Sequence, residues 1–230
     1  MTSPQELQVL RDTGWLAETP GTFRQEVLGS CVVRHYRRGE AIYHASDAPG
    51  GLYGFVAGGI GVEVMPEDRD PYIGLFVRPG FWIGEVSVLT RRPRAVGLRA
   101  TRDSVLAHLP LTQWDVIART ADDAWRWFAH LILRNELLLV AVADALMIPG
   151  ASARVAAMLL AMFRSGSEPT NKSAGPLDIS QEDLARITNL SRSSAGRILK
   201  DFETEGLIIF RYRQLRVIDF EGLRRRRAER

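Results

Sequence analysis

The stretch from Ile179 to Leu207, ISQEDLARITNLSRSSAGRILKDFETEGL, constrains this chain more than any other, because it specifies two short helices and the turn between them. Ser180 can cap a helix and Asp183 stands three residues on, a carboxylate form of the capping box, so a helix is expected from Gln181 to about Ile187. Leu184 falls on its inward face, and Ala185 is small enough to let a second helix cross closely. The periodicity stops at Thr188-Asn189-Leu190, where Asn189 is the non-glycine residue that best accepts a left-handed turn conformation. Ser191 can then cap a second helix whose stripe Ala195, Ile198, Leu199 and Phe202 is buried, leaving Arg192, Ser193, Arg197 and Lys200 outward.

That outward face has the chemistry of a recognition helix. Arginines near its N-terminus can reach guanine O6 and N7, small hydroxyls at Ser191, Ser193 and Ser194 allow close approach, and Lys200 suits a phosphate. Taken alone, the stretch also fits an ordinary helical hairpin with a solvated basic face. The flanks favour the first reading. GLIIFRYRQLRVIDF predicts two short strands around a tight turn, a wing on which Arg211, Arg213 and Arg216 can touch phosphate. Charge follows the same division: residues 1 to 149 carry 15 Arg and no Lys against 17 acidic residues, whereas residues 150 to 230 carry 13 Arg and 2 Lys against 10. The positive charge therefore sits with the helix-turn-helix. The tail LRRRRAER has no apolar periodicity and is expected to be mobile, as a solvated tail or an additional arm on DNA.

Before this module, residues 23 to 109 form short apolar runs broken by Gly, Pro and Asp, among them CVVRHYRRGEAIYH, GLYGFVAGGIGVEV and YIGLFV. About eight such runs fit a jelly roll of two packed antiparallel sheets, although a β-sandwich of another topology satisfies the same pattern. Thr112 with Asp115, and Thr120 with Asp123, predict successive helix starts, the second opening a helix from Asp122 to about Ile148, roughly 40 Å long. Its second half, LLLVAVADALMI, is apolar on nearly every face, which fits a central helix buried within one chain but favours a second copy of the chain as partner, since little of the chain is left to surround it. Pro149-Gly150 breaks the helix and marks a hinge, after which ASARVAAMLLAMFRSG predicts a helix under the basic module.

Several classes are disfavoured. Cys31 is the only cysteine, so neither an internal disulfide nor a cysteine-ligated iron-sulfur cluster is expected, and no metal site is predicted. His35, His44, His108 and His130 show no pair at ligand spacing for haem. Phosphate-loop, nucleophile-elbow and zinc-protease motifs are absent, so no enzyme is expected. No run reads as a membrane span or signal peptide, and a cytoplasmic protein is expected.

The order β-roll, long helix, winged helix-turn-helix resembles the catabolite activator and fumarate-nitrate regulator (Crp/Fnr) family of bacterial transcription factors. The likeness rests chiefly on SRSSAGRILKDFETEGLI and FWIGEVSVLTRRPRAVGLRA. It implies an α+β chain divided at 1–120, a cyclic-nucleotide-binding-like double-stranded β-helix; 121–149, a dimerisation helix and hinge; and 150–230, a winged helix-turn-helix. By the same resemblance Arg192, Ser193 and Arg197 read base edges, with Ser191, Ser194, Lys200 and Arg213 beside them on double-stranded DNA. Ser193 stands where the family often has glutamate, which changes the half-site expected. Gly84, Glu85, Val86, Arg94 and Ala95 fall in the nucleotide cassette, Glu85 toward the ribose and Arg94 toward the phosphate.

Ala95 stands where nucleotide binders have a hydroxyl that donates to phosphate, and residues 137 to 142 offer no Thr, Ser, Asn or Gln to an adenine. Each lost bond costs about 1 to 3 kcal/mol, which predicts weak or no dependence on cyclic AMP. An intra-roll salt bridge between Glu85 and Arg94 is the competing explanation of that pair. The expectation is a homodimeric, palindrome-binding transcription regulator with an effector other than cyclic AMP and RNA polymerase among its partners. The alternative is a small-molecule sensor acting through a protein partner.

Overall fold

The computed structural model describes residues 7–166 and 175–229. Two short helices, α1 (Gln8–Asp12) and α2 (Gly21–Gly29), flank a 3-10 turn at Trp15–Glu18 and lead into strands β1 (Val32–Tyr36) and β2 (Ala41–Tyr43). Then follow β3 (Gly51–Val64), β4 (Tyr72–Val77), β5 (Trp82–Ile83), helix α3 (Glu85–Thr90) and β6 (Gly97–Pro110). The expected eight or so apolar runs resolve into six strands, GLYGFVAGGIGVEV forming one continuous strand. All six share one antiparallel hydrogen-bonded network, ordered β1-β6-β3-β4, with β2 on β6 and β5 on β3. β3 and β6 pair from Gly51↔Pro110 to Glu63↔Gly97, with register shifts around Ala57 and Gly59. Such irregularities bend a long ladder, which lets two strands serve both halves of a roll.

α4 (Leu111–Thr120) and the long α5 (Ala124–Met147, about 36 Å) close the roll. The two predicted side-chain caps do not form. Pro110 occupies the N-cap of α4, and Thr120 donates its hydroxyl back to Val116 O at 2.9 Å instead of capping forward. Asp123, before α5, takes a left-handed conformation (φ 54) without a side-chain cap bond.

Two cores hold these elements. In one, Trp15, Phe23, Trp82, Trp114 and Phe128 pack the N-terminal helices, the roll and the first half of α5 together; Trp15 lies edge-on to Trp82 with centroids 5.6 Å apart. Burying such side chains is worth about 1.5 to 3 kcal/mol each. The other runs without a break from Phe55, Leu75 and Leu98 in the roll through α6 (Ala151–Arg164) to Leu184, Leu199 and Phe202. A buried arginine reinforces this junction: Arg78 donates from Nη1 to Phe163 O at 3.0 Å, and Arg78 N–H donates to Ser165 Oγ at 3.0 Å.

The C-terminal module comprises β7 (Leu177–Asp178), α7 (Gln181–Ile187), α8 (Arg192–Thr204), β8 (Ile208–Arg211), β9 (Gln214–Val217) and α9 (Phe220–Ala228), with a three-stranded sheet ordered β7-β9-β8. The final helix overturns the expectation of a mobile tail. Asp219 accepts from Gly222 N–H at 2.9 Å, Phe220 packs edge-on to Phe163 at 5.6 Å, and Leu223 is fully buried. Two apolar residues and a cap anchor α9, too few to create a periodic pattern.

Candidate nucleic-acid interface and effector cavity

The helix-turn-helix forms with both N-caps in place. Ser180 Oγ accepts from Asp183 N–H at 3.0 Å, and Ser180 N–H donates to the Asp183 carboxylate at 3.2 Å. Asn189 adopts φ 52, and Leu190 N–H donates to Ala185 O at 2.8 Å, returning the chain toward the core. Ser191 Oγ accepts from Ser194 N–H at 3.1 Å and opens α8. Ala195, Ile198, Leu199 and Phe202 are buried, while Ser191, Arg192, Ser193, Arg197 and Lys200 are exposed and Ser194 is half-buried.

Among the described residues, the side chains of Arg192, Arg197 and Lys200 have no ion-pair partner. Arg216 of β9 is likewise exposed and without an ion pair among the described residues, but several other cations of the module differ. Arg211 pairs with Glu203 at 2.9 Å. Arg213 turns inward, with its side chain 24% exposed and its guanidinium against Asp178 and Asp183. In α9, Arg224 pairs with Glu221, Arg225 with Asp219, Arg226 with Glu205 and Glu229, and Arg227 with Asp144 of α5.

The cassette residues surround one cavity of about 250 Å³, lined by Gly84, Glu85, Val86, Arg94 and Ala95 together with Tyr43, Leu75, Asn135, Leu138 and Leu139. Gly84 has φ 111, and a Cβ there would lie 2.6 Å from Arg94 Nη1, so glycine is required by both backbone and space. The predicted alternative, a Glu85–Arg94 salt bridge, does not form. Arg94 Nη2 donates to Gly51 O at 2.9 Å, and its guanidinium lies 4.2 Å from the Tyr43 ring centroid. Glu85 Oε1 instead accepts from Asn135 Nδ2 at 2.8 Å, and burial pushes its carboxyl above the ordinary glutamate range.

Three buried polar atoms in this cavity have no partner: Glu85 Oε2, Arg94 Nε and Arg94 Nη1. They fit a ligand that presents a hydroxyl donor to the carboxylate and an anionic acceptor to the guanidinium. Ala95 and Val86 are exposed beside it. Asn135 was missed in the sequence because it precedes the 137–142 window by two residues; one more turn of α5 would have included it. Its amide is committed to Glu85 and, at 3.0 Å, to Trp82 O, at the polar end of the cavity.

Further along α5, Leu133, Leu137, Val140 and Met147 are exposed, Leu137 by 68% and Met147 by 82%. With Asp144 they repeat at alternating four- and three-residue steps, the spacing of a coiled-coil seam. Cys31 is buried, which pushes its thiol up to about 12. Among the described residues no group of side chains is arranged to hold a metal ion, and no helix is long and apolar enough to cross a membrane.

Known proteins match both parts of the chain. Residues 153–226 match the Crp-like helix-turn-helix domain, and residues 33–120 match the cyclic nucleotide-binding domain. The chain is 25% identical to the HTH-type transcriptional regulator Cmr of Mycobacterium tuberculosis, over 97% of this chain and 91% of that protein. It is 23% identical to the cAMP-activated global transcriptional regulator CRP of Escherichia coli, over 79% of this chain and 87% of that protein. Its fold is similar to that of the c-di-GMP responsive global regulator CLP from Xanthomonas campestris (TM-score 0.62, 21% identity, 87% of this chain and 100% of that one). FixK2 from Bradyrhizobium japonicum is similar too (TM-score 0.64, 22% identity, 87% and 98%). Fold and matches together define a transcription regulator, not an enzyme, that joins a DNA-binding helix-turn-helix to a roll of the cyclic-nucleotide-binding type. The chain belongs to the Crp/Fnr family.

Proposed function

We propose that the chain is a homodimeric, sequence-specific regulator in the bacterial cytoplasm, with a roll over 1–120, a dimerisation helix over 121–149 and a DNA-binding module over 150–230. The observation that carries this reading is the exposed face of α8, where Arg192, Arg197 and Lys200 lack counter-charges among the described residues. Arg192, Ser193 and Arg197 reach base edges, with Ser191, Ser194 and Lys200 on the flanking backbone. A second copy covers Leu133, Leu137, Val140 and Met147, and its α8 enters the next major groove about 34 to 36 Å away. Arg213, inward in this conformation, joins the interface only after it is released.

The roll takes an effector other than cyclic AMP. A sugar and cyclic phosphate would find Glu85 and Arg94, but not the hydroxyl that Ala95 lacks. A base would meet Leu138 and Leu139, and the one nearby amide, Asn135, already donates both Nδ2 hydrogens to Glu85 and Trp82 O, which leaves only its Oδ1 to accept. Each unmet polar group costs about 1 to 3 kcal/mol, so a ligand with an anionic head, a hydroxyl and an apolar body fits better. Selection from a random duplex pool, with and without cyclic AMP, tests both statements. A palindromic motif recovered equally in both conditions is expected. A motif that requires cyclic AMP would overturn the effector reading, and the absence of any motif would favour a sensor that acts through a protein partner.

A further inference from the structure

We infer that Asp178 holds the wing arginine, Arg213, away from DNA phosphate, and that the roll supplies the burial that keeps it held. This rests on the reading of α8 and the wing as a DNA interface.

The wing turn is the first observation. Tyr212 and Arg213 join β8 to β9, and both have positive φ, 23 and 64. A two-residue hairpin turn with both central residues in that region favours Asn-Gly, because a Cβ crowds the backbone there. Tyr and Arg are poor choices, so the conformation must be over-determined by contacts elsewhere. Those contacts are at hand. Arg213 Nε lies 3.8 Å from Asp178 Oδ1, Nη2 donates to Asp183 Oδ2 at 3.3 Å, and Ile179 N–H donates to Arg213 O at 2.8 Å. The cation consequently points into the body of the module, while Arg211 and Arg216 remain exposed.

The second observation lies across the junction with the roll. Asp178 is only 9% exposed, and its other oxygen, Oδ2, accepts from Thr101 Oγ1 of β6. Gly59 of β3 makes the room, because a Cβ there would lie 2.7 Å from Asp178 Oδ2 and 2.5 Å from Thr101 Oγ1. One carboxylate of the DNA-binding module is thus shared between a hydroxyl of the roll and the cation of the wing. A shielded pair of this kind persists, whereas the same pair lifted into solvent is weak and exchanges readily for phosphate. Any shift of the roll that uncovers Asp178 would deliver Arg213 to DNA.

Salt dependence reads this directly, because each phosphate contact contributes about 0.9 to the slope of log affinity against log salt concentration. The probe is a random-sequence duplex of about 30 base pairs, long enough for both modules of a dimer. Lys200→Gln, which removes an exposed cation, should lower the slope. Arg213→Gln should leave it at the wild-type value, because a held arginine contacts no phosphate. Asp178→Asn should steepen it, by at most about 0.9 per subunit because Asp183 still accepts from Arg213 Nη2, and the double variant with Arg213→Gln should restore the wild-type slope. Gly59→Ala, acting from the roll side, should steepen it in the same Arg213-dependent way. If Arg213→Gln lowers the slope as Lys200→Gln does, the arginine already touches phosphate and the inference is overturned, a result that does not depend on Asp178→Asn folding. A flat response to Asp178→Asn in a folded protein overturns it as well. Failure of the wild-type chain to bind any duplex would instead strike at the DNA-binding reading on which the inference rests.

Discussion

Two arginine-rich helices of the same module make opposite uses of their charge. On α8, Arg192 and Arg197 project from a buried stripe into solvent with no carboxylate paired to them among the described residues, whereas on α9 each of Arg224 to Arg227 is tied to an acidic side chain. Counting cations would rank α9 as the stronger DNA-binding element. What distinguishes them is whether the chain carries the counter-charge itself: a cation already paired must give up a partner to meet phosphate, and an unpaired one gives up only water. The difference also separates roles, since α9 packs on α6 and reaches α5 through Arg227–Asp144, binding the module to the long helix.

The largest effect that would break this comparison concerns stability. Leu223→Ala, which empties a fully buried site under α9, should cost about 2 to 5 kcal/mol in denaturant unfolding. An unchanged midpoint would mean that α9 is the mobile arm expected from its sequence, and that its arginines are available after all. Arg197→Ala should leave unfolding unchanged and instead cost about 1 to 3 kcal/mol in binding to a selected operator, with loss of preference at one base pair. Arg225→Ala, measured on the same operator, should bind like the wild type. Equal losses from the two would show that counter-charge does not decide the matter.

How much of this was legible follows from the range of the interactions. The helix-turn-helix was readable to the residue because caps, turn and stripe are local: Ser180, Asn189 and Ser191 each act within four positions. The anchoring of α9 was not, since Phe220 depends on Phe163 and Arg227 on Asp144, partners that no periodicity announces. The cassette glycine and its two charged companions were recognisable by resemblance, but their state was not. A salt bridge between Glu85 and Arg94 is the simplest guess for opposite charges in one cavity. The fold instead places Asn135, fifty residues away, against Glu85, and the Tyr43 ring against Arg94. Local caps also misled where a nearer acceptor existed, as when the Thr120 hydroxyl turned back to Val116 O.

A smaller effect sharpens the contrast at the start of α9. Asp219→Ala removes the carboxylate that accepts from Gly222 N–H and also pairs with Arg225. Loss of such a cap costs about 1 kcal/mol. Because the Arg225 pair is exposed, it should contribute little beyond this, so Asp219→Asn, which keeps the cap and removes the charge, should behave nearly as the wild type in thermal unfolding. A deficit in Asp219→Asn as large as in Asp219→Ala would give the surface pair a weight that the comparison denies it.

The roll completes the comparison with a third condition, charge that is both buried and incompletely partnered, and pH distinguishes it from the other two. Burial raises the Glu85 carboxyl above its unfolded value, while the Asn135 hydrogen bond opposes that shift only in part. A raised carboxyl favours the folded state most below the unfolded value, where it is protonated in both states, and that advantage is lost as pH rises through the folded value. Glu85→Gln cannot ionise and should retain the advantage throughout. Its melting temperature should therefore match the wild type on the acid side and exceed it increasingly toward neutral pH. A difference that stays constant with pH would show that Glu85 is already compensated and that its free oxygen is not waiting for a ligand. An anionic, hydroxyl-bearing effector should narrow the gap at neutral pH, because its hydroxyl supplies the hydrogen bond that the carboxylate lacks and its anion meets the unpaired nitrogens of Arg94. The α8 arginines, unpaired but solvated, should show no such dependence, which is what makes their charge available to a nucleic acid and that of Glu85 available only to something that enters the roll.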